Sequence, residues 1–266
     1  MLELPNRFAF RGHEIAWGAI GAGAPLVLVH GTPFSSQVWR KIAPLLAQRW
    51  RVHYFDLLGY GASMAEGEID VSLGVQNELL AALCAEWDLR EPELLAHDFG
   101  GATALRGHFL NGLRYRRLTL IDPVAVAPWG SPFVAHVRHH QAAFAGLPAY
   151  AHDALLAAYL QGAAHLPLSP EALETYAAPW RGALGQAGFY RQIAQMDQRY
   201  TDAVEPLYPQ YAGEVRLLWG AEDAWIPPER GRALAAALRC QITMVEKAGH
   251  LVQDDAPEAV VAAMLG

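Results

Sequence analysis

Short apolar runs alternate along this chain with longer segments in which apolar residues recur every three or four positions. The short runs have the length of β-strands, and the periodic segments have the spacing of helices with one buried face. The predicted strands are residues 8–10, 15–17, 26–29, 52–55, 94–96, 118–121, 215–219 and 242–245. The predicted helices begin after Ser35 or Ser36 and cover 72–87, 102–110 and 257–265. Strands that alternate with helices are typical of an α/β fold with a mostly parallel, doubly wound sheet.

The alternation stops between residues 124 and 209. This segment is rich in alanine, tyrosine, histidine and tryptophan, and prolines divide it into short helical patterns. Because the strand pattern resumes afterwards, the segment has the character of an insertion and not of an independent domain. We predict a core made of residues 1–123 and 210–266, with a helical cap made of residues 124–209 over the ends of the strands.

The stretch 94–102 has the pattern of a strand, a sharp turn and a helix. Ala96, Gly100 and Gly101 surround Asp98 with small side chains, as in a nucleophile elbow, where the backbones of strand and helix pass close together. A carboxylate that attacks saturated carbon forms an alkyl ester, which water can cleave again. Asp98 therefore predicts a hydrolase that acts at an sp3 carbon. The competing interpretation is that Asp98 is an ordinary turn residue.

Two further polar residues, Asp223 and His250, each follow a later predicted strand. The order Asp98, Asp223, His250 is the chain order of nucleophile, acid and histidine in sites built around such an elbow. We expect His250 to activate water and Asp223 to orient its imidazole ring. Asp122 also follows a strand and is a competing acid. The alternative for Asp223 is a helix cap, and for His250 a place in a surface loop.

The sequence His30-Gly31-Thr32-Pro33 ends the strand that should lie beside the elbow strand. Backbone N–H groups in such a position stabilise the negative oxygen that forms when water attacks an ester. We expect the oxyanion hole to consist of the N–H groups of Thr32 and Phe99, because Pro33 has no N–H. His30 and His97 are expected to be packed or hydrogen-bonded supports.

Composition narrows the range of partners. Twenty basic and 27 acidic residues give a net charge of −7 at pH 7, and no basic run is present. We therefore expect neither nucleic acid nor an anionic membrane as a partner. No apolar run is long enough to span a membrane, and the first residues have no signal-like apolar region, so a cytoplasmic location is expected.

Metal and cofactor chemistry is also not expected. Cys84 and Cys240 lie far apart without metal-ligand spacing, which predicts free thiols. The histidines lack such spacing too, and no glycine-rich phosphate loop follows a strand. We predict a small-molecule substrate, no metal and no organic cofactor, and a homodimer is compatible with the sequence.

With these residues in place, the whole chain resembles the α/β-hydrolases that use an aspartate nucleophile: epoxide hydrolases, haloalkane dehalogenases and fluoroacetate dehalogenases. The resemblance is carried by His30 to Pro33 as the oxyanion loop and by Asp98, Asp223 and His250 as the triad. It implies an α/β-hydrolase fold with a cap inserted after a central strand. The cap itself resembles the family far more weakly than the core.

Departures from the family pattern favour one member over the others. Haloalkane dehalogenases hold the halide with an asparagine and a tryptophan, where this chain has Thr32 and Phe99. Fluoroacetate dehalogenases place arginines just after the nucleophile. This chain has no arginine at those positions, and Arg106 lies a turn further on. Epoxide hydrolases tolerate phenylalanine there and use a cap tyrosine followed by arginine, as in Tyr190-Arg191. The resemblance therefore implies Tyr190 as the proton donor.

Other cap residues are candidates for binding the substrate. Tyr150 is the candidate for the second cap tyrosine of epoxide hydrolases, although histidines occupy the region where that tyrosine is expected. In a dehalogenase, His139, His140, Trp129 or Tyr190 would have to replace the missing halide donors. On composition alone, Tyr159, Tyr176 and Tyr200 are candidates for the proton donor as well, and most of the cap tyrosines are expected to be aromatic packing between short helices.

The predicted function is hydrolysis through a covalent ester on Asp98, of the kind carried out by epoxide hydrolases. Three alternatives remain open at this stage. They are a dehalogenase, an ester or lactone hydrolase, and a non-catalytic receptor that keeps a vestigial site.

Overall fold

Eight strands form one sheet in the computed structural model, which describes residues 1–266. In chain order they are β1 (Asn6–Phe10), β2 (His13–Ile20), β3 (Ala24–Val29), β4 (Trp50–Phe55), β5 (Glu93–His97), β6 (Arg117–Ile121), β7 (Glu214–Gly220) and β8 (Ile242–Val245). Their order across the sheet is β1-β2-β4-β3-β5-β6-β7-β8. Only the pairs β1/β2 and β2/β4 are antiparallel. The predicted mostly parallel α/β sheet is confirmed.

Helices lie between the strands and in one long insertion. The helices between strands and at the end of the chain are α1 (Ala43–Leu46), α2 (Leu73–Glu86), α3 (Phe99–Asn111), α9 (Pro228–Leu238), α10 (Val252–Asp255) and α11 (Pro257–Leu265). The helices of the insertion between β6 and β7 are α4 (Pro132–Ala145), α5 (Ala149–Gln161), α6 (Pro170–Ala177), α7 (Gly182–Ala194) and α8 (Arg199–Asp202). Below, α4 to α8 are called the inserted helices.

The segment after Pro33 differs from its prediction. Instead of one helix, it forms a 3-10 turn at Ser36–Trp39 and then the four-residue helix α1. Ser35 caps the turn by accepting the N–H of Gln37 at 3.4 Å. Pro44 lies in the first turn of α1, and because proline has no N–H, a helix cannot run continuously through it.

Hydrogen bonds attach the inserted helices to the carboxyl ends of the strands. The indole N–H of Trp180 donates to the carbonyl of Pro33 at 2.6 Å. Just after α7, the side chain of Gln195 accepts the N–H of Val71 at 2.7 Å and donates to the carbonyl of Ile69 at 2.8 Å. The inserted helices therefore lie over the strand ends where Asp98, Asp223 and His250 follow.

The centre of the sheet is fully buried. All residues of β5 and the last four of β3 are buried between the helical layers, which agrees with the continuous apolar runs that parallel strands need. None of the helices combines the length and the apolar character that a membrane crossing requires.

Candidate active site

Asp98 occupies a sharp turn between β5 and α3. Its backbone has φ 50° and ψ −118°, a positive φ that residues with a side chain rarely adopt. Neighbouring glycines permit this turn, since a Cβ on Gly100 would lie 2.3 Å from the carbonyl oxygen of Val29 and one on Gly31 would lie 2.4 Å from the Cβ of Asp98. Backbone strain of this kind persists where the surrounding structure holds it, and it presents the side chain at the tip of the elbow.

The two carboxylate oxygens of Asp98 have different environments. Oδ2 accepts the backbone N–H of Thr32 at 2.7 Å, and the N–H of Phe99 also interacts with the carboxylate. Oδ1 faces Nε2 of His250 at 3.5 Å. One oxygen therefore occupies the predicted oxyanion position, whereas the other remains free of backbone donors beside the imidazole.

Asp223 holds the other side of the His250 ring. Its Oδ2 lies 2.9 Å from Nδ1 of His250, and its Oδ1 accepts the N–H groups of Trp225 at 2.8 Å and Ile226 at 2.9 Å. The indole of Trp225 lies over the imidazole, with ring centroids 5.2 Å apart. These contacts fix the orientation of the imidazole so that Nε2 points toward Asp98.

The charges in this arrangement support one another. Burial alone would raise the pKa of Asp98, but hydrogen bonding and charge from His250 and His97, together with the Phe99 N–H, hold the pKa below its usual value. Burial alone would lower the pKa of His250, but Asp223 and Asp98 raise that pKa well above its usual value. The contacts therefore favour the imidazolium form of His250 beside an ionised Asp98 in the free enzyme.

Asp122 lies close to the same histidine but in a different state. It is fully buried, and its Oδ1 accepts the N–H of Gly220 at 2.8 Å, while Oδ2 has no hydrogen-bond partner. Burial, and then the charge of Asp223, raise the pKa of Asp122 well above its usual range. Burial therefore favours the neutral form of Asp122, and Asp223 is the acid that contacts His250.

Substitution by asparagine separates the two acids. Asp122→Asn replaces a neutral acid by a neutral amide that can still accept the Gly220 N–H, so we expect turnover within about threefold of wild type. Asp223→Asn removes the charge that orients and stabilises the imidazolium, and we expect kcat to fall by about 10³–10⁴-fold. Steady-state kinetics of both variants measures this. The reverse ranking would make Asp122 the working acid.

Further hydrogen bonds fix the segments around Asp98, Asp223 and His250. His30 accepts the N–H of Leu57 at Nε2 (2.9 Å), which leaves Nδ1 to donate to the carbonyl of Gly31 at 2.8 Å. His97 lies 2.8 Å from the carbonyl oxygen of His250 through Nε2, and burial lowers its pKa to about 3, so it is neutral. Both histidines match the expectation of hydrogen-bonded supports. Asp255 accepts the N–H of Gly249 at 2.8 Å and so fixes the loop that carries His250.

Three buried residues have the spacing that a metal ion would need. His97, Asp122 and His250 each place one ligand-type atom within 4.8 Å of the others. Both ring nitrogens of His250, however, already face carboxylates. A metal bound there would have to displace one of these contacts, so the donor set fits the hydrolytic arrangement better than a metal centre.

A cavity of about 100 Å³ opens beside Asp98 and Thr32. Most of its lining is apolar or aromatic, and includes Phe99, Val124, Val134, Met196 and Trp225. The predicted substrate-binding residue Trp129 also lies on this wall. Its indole N–H donates to Oγ1 of Thr201 at 2.7 Å, so Trp129 offers the cavity its aromatic surface and not its donor.

The structure corrects the prediction of Tyr190 as the proton donor. Tyr190 is fully buried outside the cavity wall, with its hydroxyl 3.0 Å from Nδ1 of His152 and its ring against Phe189. The reason is helical rotation. Residues of α7 that face the site include Gln192, and Tyr190 projects about 200° away from it around the helix axis.

Three other predicted binding residues also lie outside the cavity. Tyr150 is 79% exposed. His139 is exposed at the surface of α4, with its Nδ1 2.6 Å from the carbonyl oxygen of Ala135. His140 is exposed too and lines a separate surface depression with His136. The polar residues of α4 therefore face solvent. Val134 is the residue of this helix that lines the cavity.

The cap tyrosine on the cavity wall is Tyr159, at the end of α5. Its ring stacks on Trp225 with centroids 4.6 Å apart. Burial, followed by the charge of Asp98, raises the pKa of Tyr159 above its usual value, so the phenol keeps its proton. The sequence did not distinguish Tyr159 from other cap tyrosines, because no neighbouring motif marks it and its proximity to Asp98 depends on packing between distant helices.

Gln192 is a second polar residue that the sequence did not indicate. It is buried on α7, and its Oε1 lies 2.6 Å from Oγ1 of Thr32. No local pattern distinguishes it from a glutamine on a helix surface, since the contact joins residues that are far apart in the chain.

Comparison with known proteins agrees with this architecture. Residues 26–263 match the profile of the alpha/beta hydrolase family. The chain therefore belongs to the alpha/beta hydrolase family.

Proteins similar to this chain include an alpha/beta hydrolase fold protein and haloalkane dehalogenases. An α/β-hydrolase fold protein from Burkholderia ambifaria has a crystal structure that is 59% identical, covers 100% of this chain and 98% of that one, and has a TM-score of 0.97. A haloalkane dehalogenase of Agrobacterium fabrum is 36% identical over 104 residues, which are 39% of this chain and 34% of that enzyme. A haloalkane dehalogenase structure from Agrobacterium tumefaciens has a TM-score of 0.82 at 23% identity, covering 97% and 94% of the two chains, and this likeness concerns the fold.

Proposed function

We propose that this hydrolase cleaves a bond at a saturated carbon through a covalent ester on Asp98, with a small neutral epoxide as the substrate class. The observation that carries the proposal is that the two carboxylate oxygens of Asp98 make different contacts. Oδ2 is held by the Thr32 N–H, and Oδ1 faces His250 beside the cavity. If residue 98 were a serine, an oxygen of the substrate would occupy the oxyanion site. Here Oδ2 of Asp98 itself occupies that site.

The first step forms the ester. Oδ1 of Asp98 attacks a ring carbon, a C–O bond of the epoxide breaks, and the released oxygen takes a proton from the hydroxyl of Tyr159. A phenol suits this step because it is neutral yet donates a strong hydrogen bond. The phenolate is temporary, because once Asp98 is esterified the imidazolium proton of His250 restores the phenol. This transfer leaves His250 neutral and able to act as a base.

The second step frees the enzyme. His250 removes a proton from water as that water attacks Cγ of Asp98, and the oxyanion that forms at Oδ2 is stabilised by the N–H groups of Thr32 and Phe99. Collapse of this intermediate breaks the bond between Cγ and Oδ1, and His250 passes the proton it took from water to Oδ1, which releases a diol. The proton of the new Asp98 carboxylic acid then passes to His250 and restores the starting state. Donors aimed in advance at such an oxyanion typically contribute about 3–4 kcal/mol each.

The lining of the cavity favours a neutral substrate. No lysine, arginine or histidine is part of the wall, and Asp98 is its only ionised group. A substrate carboxylate would therefore lose its hydration beside Asp98 without gaining a cation of its own, because the His250 ring already faces Asp98 and Asp223. This argues against haloacids.

A haloalkane is the second candidate substrate class, because characterised relatives include haloalkane dehalogenases. It requires donors for the departing halide. Thr32 directs its hydroxyl to Gln192 and Trp129 directs its N–H to Thr201. The donors left on the wall are the hydroxyls of Tyr159 and Ser131 and the indole N–H of Trp225. The phenol of Tyr159 suits an epoxide oxygen, which needs a proton, better than a halide, which leaves as an anion without one.

A substrate panel tests the proposal. Short-chain epoxides, haloalkanes, haloacids and p-nitrophenyl esters are incubated with the enzyme, and diol, halide and phenol are measured together with intact protein mass. We expect diol formation and a transient adduct with epoxides. If haloalkanes released halide and epoxides gave no diol, the enzyme would act on haloalkanes, the second candidate substrate class. Ester cleavage alone, or no product and no adduct, would refute the covalent reaction at saturated carbon.

Tyrosine substitutions test the proton donor. Tyr159→Phe keeps the ring that stacks on Trp225 but removes the hydroxyl, so we expect kcat for epoxides to fall by about 10²-fold or more. Tyr190→Phe is the matched control, because it removes a buried hydroxyl that contacts His152 away from the cavity. We expect it to lower thermal stability with turnover within about twofold. Equal kinetic effects of the two variants would contradict the assignment of Tyr159.

A further inference from the structure

One backbone donor of the oxyanion hole belongs to a residue whose side chain is attached to the inserted helices. The Thr32 N–H donates to Oδ2 of Asp98 at 2.7 Å. The Thr32 hydroxyl donates to Oε1 of Gln192 on α7 at 2.6 Å. Thr32 therefore joins the nucleophile to a helix that lies more than a hundred residues later in the chain.

A third side chain completes this cluster. The hydroxyl of Tyr60, in the loop after β4, lies 3.2 Å from Oε1 of Gln192 and 3.3 Å from Oγ1 of Thr32. All three residues are buried, with exposed fractions of 5% for Thr32, 1% for Tyr60 and 2% for Gln192. Both hydroxyls can donate to the same amide oxygen, so Oε1 is the shared acceptor of the cluster.

The amide nitrogen of Gln192 has no partner. Nε2 is buried without a hydrogen bond, and a 180° rotation of the amide would leave the oxygen without one in its place. Leaving a buried donor unpaired costs about 1–3 kcal/mol. A leucine or methionine would avoid this cost, so the benefit of glutamine must come from Oε1, which contacts Thr32 and Tyr60.

We propose that Gln192 is a positioning residue that holds the Thr32 N–H in the oxyanion hole, so that a competent hole depends on the docking of α7. The proposal rests on the proposed covalent chemistry at Asp98. Small displacements of a preorganised donor reduce its stabilisation of a developing charge steeply. Ester hydrolysis depends on this donor more than ester formation does, because the oxyanion at Oδ2 appears only when water attacks.

The primary test compares Gln192→Met with Gln195→Met. Both variants lose two hydrogen bonds between the end of α7 and the core, but Gln195 bonds to Ile69 and Val71 and does not touch Thr32. With an epoxide that wild type turns over, we expect Gln192→Met to lower kcat by about 10-fold or more, with ester formation slowed much less. The alkyl-enzyme should therefore accumulate in intact-mass spectra. Gln195→Met should lower thermal stability and keep kcat within about twofold.

A double-mutant cycle covers the case in which Gln192→Met fails to fold. Thr32→Val keeps the backbone N–H and the shape of the side chain but removes the hydroxyl, so it should show the same loss of kcat and the same accumulated adduct. Thr32→Ser should restore most of the activity. The combined Thr32→Val and Gln192→Met change should cost little more than either change alone, because both remove the same contact.

The outcomes separate this proposal from the proposed function. Additive effects in the cycle, or a Gln192→Met enzyme with wild-type kcat and no accumulated adduct, would overturn the role of Gln192 while wild-type turnover still supports the covalent route. A wild-type enzyme that never forms an adduct with any substrate overturns the covalent route itself, whatever the variants do.

Discussion

Asp98→Asn is expected to abolish turnover, with a loss of at least about 10⁴-fold in kcat. The amide is a poor nucleophile, yet its oxygen can still accept the Thr32 N–H that now binds Oδ2 at 2.7 Å, so the elbow should fold as before. Steady-state kinetics and intact mass measure the loss of product and of adduct. Circular dichroism and thermal melting provide the control for folding. Appreciable turnover by this variant would mean that another group attacks the substrate.

Isotope labelling gives the same test without a mutation. Water attacks Cγ of Asp98 in the proposed second step, so repeated turnover in water labelled with oxygen-18 should place the label in the peptide that contains Asp98. Direct attack of water on the substrate would place it in the product alone during the first turnover.

His250→Gln has the second large expected effect. Ester formation uses the Asp98 carboxylate and the Tyr159 hydroxyl but no base, whereas hydrolysis of the ester needs a base. This variant should therefore form the adduct and release it about 10³-fold or more slowly. Intact-mass spectra should show one substrate added per chain, and peptide mapping should locate it at Asp98. An unmodified protein under conditions where wild type is active would contradict the division into two steps.

The charges around His250 explain how, in the proposed mechanism, one histidine can be protonated in the free enzyme and act as a base once the ester has formed. In the free enzyme, Asp223 and Asp98 together raise the pKa of His250. In the proposed mechanism, ester formation removes the charge of Asp98, and the pKa of His250 then falls. The imidazole therefore becomes a competent base only after the substrate is attached.

Much of the core could be predicted because its signals are local. All eight strands lie where short apolar runs predicted them, since a buried parallel strand must be apolar on both faces. Asp98, Asp223 and His250 each follow a strand, and parallel strands bring their carboxyl ends to one edge of the sheet. Position in the chain was enough to bring these three residues together.

The inserted helices could not be predicted to the same depth. The choice of Tyr190 relied on a neighbouring arginine, but the rotation of α7 turns Tyr190 toward His152, and Tyr159 on α5 reaches the cavity instead. Such outcomes depend on how five short helices pack against one another, and amphipathic periodicity does not specify that packing. The bounds of the cap, at residues 124–209, remain a prediction.

The size of the cavity has a consequence for selectivity. At about 100 Å³, it is smaller than the ~150 Å³ void that accommodates benzene in an engineered protein core. Compact molecules should therefore be admitted without rearrangement, and bulkier ones must displace part of the wall. Met196 is an unbranched and adaptable side chain on that wall, so larger substrates should be accommodated beside it. The stacked rings of Tyr159 and Trp225 should yield less.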